Sequence, residues 1–432
     1  MMTFYSSCKY KAYLMLFLVF VFNSCLTDAG ENYKTITTTA KDIATLTDNV
    51  NLNRYAKVKD TTDFPIVAWL GIPSKCTNIE RFREARDAGI NINYTPYPNA
   101  DSVQKALNIA EKVGMKILIR CPELSSSDAN VIIATVKRFK NHPANAGYFI
   151  KDEPQLSDLL NLKKIIQTIT SVDDQHFCYV NLYPNHAVNI GTPNYQEYVR
   201  QFIEELSLQV ISFDFYPILT GNNIRYGWYK NLEIIRDESR NRGKPFWAFA
   251  LATSHEDYPI PTLEHLRLQV YSNLAYGAKG IQYYTYWTGT SKNYQYYSGP
   301  IEKDGSKTIV YEHLKKVNSE INALKYIFLS GKVINIYHYG SNIADGTKRL
   351  SKLPDYVKSL NIRCNTALIS EIENDSNRFL MIQNNDLHSP VEVNIKVDSL
   401  TKIVLKNGSI IPFSLIHQSF KIESGDMVLF MR

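Results

Sequence analysis

The sequence predicts an α/β protein: a closed (β/α)8 TIM barrel followed by a small antiparallel β-sandwich. Three observations carry this. Apolar runs of strand length recur eight times between Phe64 and Trp287, and a helical pattern follows each. After Leu329 the pattern changes to short alternating runs broken by Asn-Asp, Asn-Gly and Ser-Gly turns. Eight units in roughly 260 residues is the size of a closed barrel. An open doubly wound sheet is the alternative, but no GxGxxG follows the first strand.

The eight expected strands are Phe64–Gly71, Ile90–Tyr97, Lys116–Pro122, Ala146–Asp152, His176–Tyr183, Gln209–Tyr216, Pro245–Thr253 and Gly280–Trp287. Between them apolar residues recur at three- and four-residue spacing, as in Val103, Leu107, Ala110 and Val113, which predicts helices. Thr77 or Asn78, Asp101, Ser157 and Thr262 are expected to start helices, and Gly89, Gly114, Gly243 and Gly277 to end them. The sandwich strands are expected at Val333–His338, Ala367–Ile372, Arg378–Gln383, Val391–Val397, Lys402–Leu405 and Met427–Met431.

Before the barrel, Lys9 and Lys11 precede an apolar run from Leu14 to Phe22, a pattern that suits a secretory leader and is short for a membrane span. The sequence Phe22-Asn23-Ser24-Cys25 resembles the lipobox of bacterial lipoproteins, which implies cleavage before Cys25, lipidation of Cys25 and attachment to a bacterial membrane on its periplasmic or outer face. Phe22 stands where that motif more often has Leu. The Thr-, Asp- and Asn-rich stretch after Cys25 reads as a solvated spacer. The expected organisation is therefore a leader over 1–24, a spacer over 25–62, the barrel over 63–330 and the sandwich over 331–432.

Without the leader's two lysines the formal charge falls from +6 to +4, too little over some four hundred residues to suggest nucleic acid. Cys76, Cys121, Cys178 and Cys364 form no CxxC pair, and there is no HExxH, so neither a metal nor another cofactor is indicated. The oligomeric state is not legible.

Active sites of such barrels form at the C-terminal ends of the strands. Those ends carry Trp69, Tyr94, Tyr97, Glu123, Asp152, Glu153, Asn181, Tyr183, Asp214, Tyr216, His255, Glu256, Tyr284 and Trp287. Flat aromatic faces with carboxylates and amides are what a sugar requires, because it offers both C–H surfaces and hydroxyls.

The fourth strand ends in Lys151-Asp152-Glu153-Pro154. This resembles the Asn-Glu-Pro ending found in the retaining (β/α)-barrel glycoside hydrolases, and the resemblance implies that Glu153 is the acid/base, with Asp152 replacing the usual Asn that holds the sugar 2-hydroxyl. Ser212-Phe213-Asp214-Phe215-Tyr216-Pro217 and Leu274–Gly280 leading into Tyr283-Tyr284-Thr285-Tyr286-Trp287 look like the matching segments of β-galactosidase-like barrel hydrolases of polysaccharide-degrading gut bacteria. The implied activity is hydrolysis of O-glycosidic bonds in an oligo- or polysaccharide, with Trp287 as the aromatic floor of the sugar site and Trp69, Asn181, Tyr216 and Tyr284 as further sugar contacts. The family's nucleophile ends the seventh strand, yet Phe246–Ser254 contains no acid. Glu256 and Asp214 compete for that role, with Glu123 a third and weaker candidate. The acid-free strand also motivates a different reading, a barrel that binds glycan without cutting it.

Overall fold

A computed structural model gives the structure, which describes residue 43 and residues 63–432 except 376 and 417. The leader, Cys25 and, apart from residue 43, the spacer up to residue 62 lie outside the described residues.

Eight parallel strands close into a barrel, each paired with its sequence neighbours and the eighth with the first. They are Ile66–Trp69, Ile92–Tyr94, Lys116–Ile119, Asn145–Asp152, Cys178–Leu182, Ile211–Phe213, Phe246–Leu251 and Ile281–Tyr284. Most are shorter than the apolar runs that predicted them, because hydrogen-bonded pairing stops while the chain is still extended and entering the loops. Helices Ile79–Asp87, Ala100–Lys112, Ala129–Phe139, Leu159–Thr170, Tyr195–Leu206, Trp228–Arg242, Leu263–Ala275 and Ile309–Phe328 surround the strands.

The helix starts explain themselves through capping. Asn78 and Thr262 accept the backbone N–H three residues on, as expected. Two expected caps shift: Asn99, not Asp101, caps its helix, and Ser157 lies inside a short 3-10 turn capped by Gln155. Asn99 accepts the Ser102 N–H at 2.9 Å, and at the second start the Gln155 N–H donates to Asp158 Oδ2 at 2.9 Å.

Two layers of side chains fill the barrel region. Inside the barrel, Val67, Trp69, Tyr94, Leu118, Phe149, Tyr179, Trp247 and Phe249 form an aromatic plug. Outside it, alternate strand residues such as Ile66, Ile117, Tyr148, Val180 and Ala248 pack under the helices.

The C-terminal part holds a six-stranded and a three-stranded antiparallel sheet. The larger runs in the order Lys332–Tyr339, Ala367–Asn374, Asn377–Asn384, Met427–Met431, Lys402–Val404, Ile410–Pro412, and the smaller consists of Val357–Arg363, Val391–Val397 and Ser419–Ile422. Ile369, Leu380, Val393, Phe420 and Phe430 meet between them. Helix Leu263–Ala275 is buried on nearly every side because the sandwich covers its outer face: the Ser272 hydroxyl donates to Gln383 at 3.0 Å, and the Ser370 hydroxyl to the Ala275 carbonyl at 2.7 Å. None of the described helices is long and apolar enough to cross a membrane.

Candidate active site

The fourth strand delivers two consecutive carboxylates to one place, which regular strand geometry forbids. Phe149 points into the barrel and Tyr148 and Ile150 point out, so strict alternation would send Asp152 outward. The pairing register with the fifth strand shifts between Phe149 and Lys151, a bulge that re-aims the side chains beyond it. Glu153 then takes a left-handed backbone, φ +45°, anchored by its N–H donating to the Asn181 carbonyl at 2.9 Å. Such a conformation costs a non-glycine residue about 1–3 kcal/mol. As a result Asp152 and Glu153 both line one cavity of about 180 Å3, with Trp69, Asn181, Asp214, Tyr216, Phe249, His255 and Tyr284.

Asn181, on the fifth strand, organises the acids. Its amide Nδ2 donates to Asp152 Oδ1 at 3.1 Å and to Asp214 Oδ1 at 3.0 Å. The amide orientation follows from its other end, where Oδ1 accepts from the Ser212 hydroxyl at 2.9 Å. Gln282 Nε2 donates in turn to Ser212 at 2.9 Å, and the Tyr179 hydroxyl lies 2.5 Å from both Ser212 Oγ and Gln282 Oε1. Side chains of the fifth, sixth and eighth barrel strands thus hold one amide in place from inside the barrel.

Three acids around one cavity repel one another. Burial, then the charge of Asp152, pushes Glu153 up to about 7. Asp214 is pushed well above the carboxylate range by burial and then by Glu153 and Asp152, against the Asn181 hydrogen bond. Burial raises Asp152 as well, against the Asn181 amide, Arg120 and Lys151. The Arg120 guanidinium lies over the Phe149 ring at 4.7 Å and donates to the Tyr94 hydroxyl at 2.7 Å. A site with more acid than base keeps a proton near neutral pH, which is the condition for a general acid.

The walls are aromatic. Tyr216 stacks on Tyr284 at 5.3 Å, and the Tyr284 and Tyr296 hydroxyls are 2.8 Å apart. Trp69 meets Phe249 edge-on at 4.9 Å. His255 sits between Tyr258 and Tyr296, each 4.7 Å away, and burial lowers its pKa.

Of the residues expected from sequence, the cavity gathers Glu153, Asp214, Asp152, Trp69, Asn181, Tyr216 and Tyr284. Glu256 and Trp287 are not among its lining. Glu256 is exposed and has a left-handed backbone, φ +47°, in the turn after His255, which itself takes the cavity position. Trp287 lies beyond the end of the eighth strand, 7% exposed, with the Arg81 guanidinium 5.3 Å over its ring. It packs with the core outside the barrel rather than flooring the cavity. Glu123 caps the helix at Ala100, whose N–H donates to it at 2.8 Å. Burial raises its pKa, but that hydrogen bond and others outweigh it, and the net shift is downward. Among the described residues no group of His, Cys, Asp and Glu is arranged to hold a metal ion.

Phe249 was missed as a wall residue because the seventh strand is buried on both faces, so its run of apolar residues does not say which ones face inward. Arg120 was missed because the expected strand Lys116–Pro122 runs past it, whereas pairing ends at Ile119 and leaves Arg120 at the rim.

Residues 167–324 match the family model described as beta-galactosidase, over the fifth to eighth βα units. Among solved structures, a beta-galactosidase from Bacillus circulans sp. alkalophilus superposes with a TM-score of 0.57 at 9% identity, covering 86% of this chain and 99% of that one. A glycoside hydrolase family 5 protein from Bacteroides vulgatus gives 0.55 at 12% identity, over 85% and 88%. A structure titled glycoside hydrolase gives 0.54 at 12%, over 85% and 91%. The chain carries a glycoside hydrolase barrel. At these identities the superpositions speak for the fold, barrel and sandwich together, while the sequence match speaks for glycosidase activity. No curated protein sequence matches the chain.

Proposed function

We propose that this glycosidase cleaves an O-glycosidic bond of an oligo- or polysaccharide with Glu153 as its acid/base, giving a proton to the leaving oxygen and taking one from water afterwards. The observation that carries this is the Glu153 carboxyl, raised to about 7 inside a cavity it shares with Asp152 and Asp214. A carboxyl with that pKa keeps its proton in about half of the molecules at neutral pH and becomes a base once the proton has gone. The supporting carboxylates are Asp152 and Asp214, not Glu256. Trp69, Tyr216, Phe249 and Tyr284 offer faces for the sugar's C–H surface, and Asn181 and His255 lie among them for its hydroxyls.

Glu153→Gln keeps shape and hydrogen bonding but removes the transferable proton. Turnover of a glycoside with a poor leaving group is expected to fall about 10²–10⁴-fold while sugar affinity persists. Near-normal turnover would remove Glu153 from the role. A wild-type protein that binds glycan and cuts none would favour the binding-only reading.

Export and lipid attachment at Cys25 belong to the same proposal, supported by the sequence Phe22–Cys25 alone. Cys25→Ser is expected to move the protein out of the membrane fraction, and unchanged fractionation contradicts it.

A further inference from the structure

We propose that the substrate carries a 2-acetamido group beside the bond that is cut, and that this group, held by Asp152 and Tyr216, supplies the nucleophile that the seventh strand lacks. The inference rests on Glu153 acting as the acid/base.

The nucleophile is the missing part of the site. Phe246–Ser254 contains no carboxylate, and Glu256 is exposed and outside the cavity lining. Asp214 lines the cavity half-buried, but burial, then the charges of Glu153 and Asp152, raise its pKa well above the carboxylate range and so disfavour the charged form that an attack on carbon requires. Asp152 is different. Its Oδ1 accepts from Asn181, which leaves Oδ2 for a ligand, and the side chain is open to the cavity mouth.

The strained turn at Glu153 sets Asp152 and the acid side by side at one cavity. A covalent retaining site needs its second carboxylate across the sugar ring from the acid. Neighbouring carboxylates instead suit a substrate that attacks itself, with one acid serving the leaving oxygen and the other the participating group. Two further side chains fit that group. The Tyr216 hydroxyl forms no hydrogen bond among the described residues, lines the cavity, and is kept protonated by burial, so it can donate to an amide carbonyl. Trp69 and Phe249 provide an apolar surface for a methyl group. His255, 6% exposed with Nδ1 unpartnered, also lines the cavity and awaits a polar group of a ligand.

The chemistry balances without any co-reactant but water. The acetamido carbonyl oxygen attacks C1 as the C1–O bond to the leaving group breaks, and the Glu153 proton goes to the departing oxygen. The cyclic oxazolinium that forms carries its positive charge beside Asp152, which accepts a hydrogen bond from its N–H. Water then attacks C1, giving a proton to the Glu153 carboxylate. The bond from C1 to the acetamido oxygen breaks, and the amide is restored with the anomeric configuration retained. An intramolecular nucleophile of this kind gains from proximity alone.

The test compares 4-nitrophenyl 2-acetamido-2-deoxy-β-glycosides, gluco and galacto, with their 2-hydroxy counterparts on the full chain. The acetamido series is expected to react with a kcat/KM at least about 10²-fold higher, to slow at each step as fluorines replace the methyl hydrogens, and to lose kcat rather than KM in Asp152→Asn. Asp152→Glu and a circular dichroism spectrum check that the site still folds. Equal turnover of 2-hydroxy glycosides, or insensitivity to fluorination, overturns the inference. If that turnover still requires Glu153 the glycosidase reading stands. If neither these nor a panel of other glycosides and polysaccharides is cut, the glycosidase reading falls and takes this inference with it.

Discussion

Two acid clusters among the described residues differ in their counter-charge: one is matched by cations and the other is not. Where the barrel meets the sandwich, Arg267 forks onto Glu320 at 2.5 and 3.2 Å and reaches Asp426 at 3.0 Å. Lys406 also pairs with Asp426, and Tyr271 donates to Glu320. Burial pulls the Arg267 pKa down, but the surrounding acids outweigh it and hold it above its usual value. At the cavity the ratio is reversed. Asp152 and Asp214 share one neutral amide beside Glu153, and the two nearby cations, Arg120 and Lys151, act on Asp152. The seam's charges fasten two parts of the fold. The cavity's charges oppose stability, the arrangement expected where a proton is to be transferred. Balance of charge, rather than burial, separates the two.

The largest expected effect is at the seam. Arg267→Ala strips Glu320 of its ion pair, leaves Asp426 with Lys406 alone, and should cost about 3–5 kcal/mol in chemical denaturation. Asp214→Asn, which removes one of the crowded acids, should leave stability within about 1 kcal/mol of wild type or raise it. If Asp214→Asn destabilises as much as Arg267→Ala, the contrast fails.

The two clusters also differ in their response to pH. Glu153 has a folded pKa raised from 4.5 to about 7, so between those values the native state binds more protons than the unfolded one. Its contribution is fully present below about 4.5 and is lost as pH rises through about 7. Denaturation midpoints should therefore decline across that window in the wild type and decline less in Glu153→Gln. An equal slope in both would place the titrating group elsewhere. The smallest effect is expected at Glu256, exposed and outside the cavity lining: Glu256→Ala should change stability by under about 0.5 kcal/mol and leave turnover unchanged. A large loss of turnover would return Glu256 to the mechanism.

Much of this was legible because barrel strands are long apolar runs closed by polar ends, and Asp152, Glu153, Asn181 and Asp214 are such ends. The sequence could not show that Asp152 and Glu153 face the same way, since that depends on a bulge and a left-handed residue with no local signature. Trp287 and Glu256 looked like site residues because position along the chain was read as position in space. Three residues beyond the eighth strand the chain has already turned into the outer core, where Arg81 covers the indole. Strands Val357–Arg363, Ile410–Pro412 and Ser419–Ile422 escaped notice because they are short or mostly polar.

The pH dependence of kcat/KM on a substrate with a poor leaving group tests most directly whether Glu153 works as a proton donor because its neighbours are acids. Activity should fall as pH rises through an apparent pKa of about 7, and Asp152→Asn should move that limb to lower pH, since the Asp152 charge is one of the two causes that raise it. A limb near 4.5, or one that Asp152→Asn leaves in place, would contradict the account.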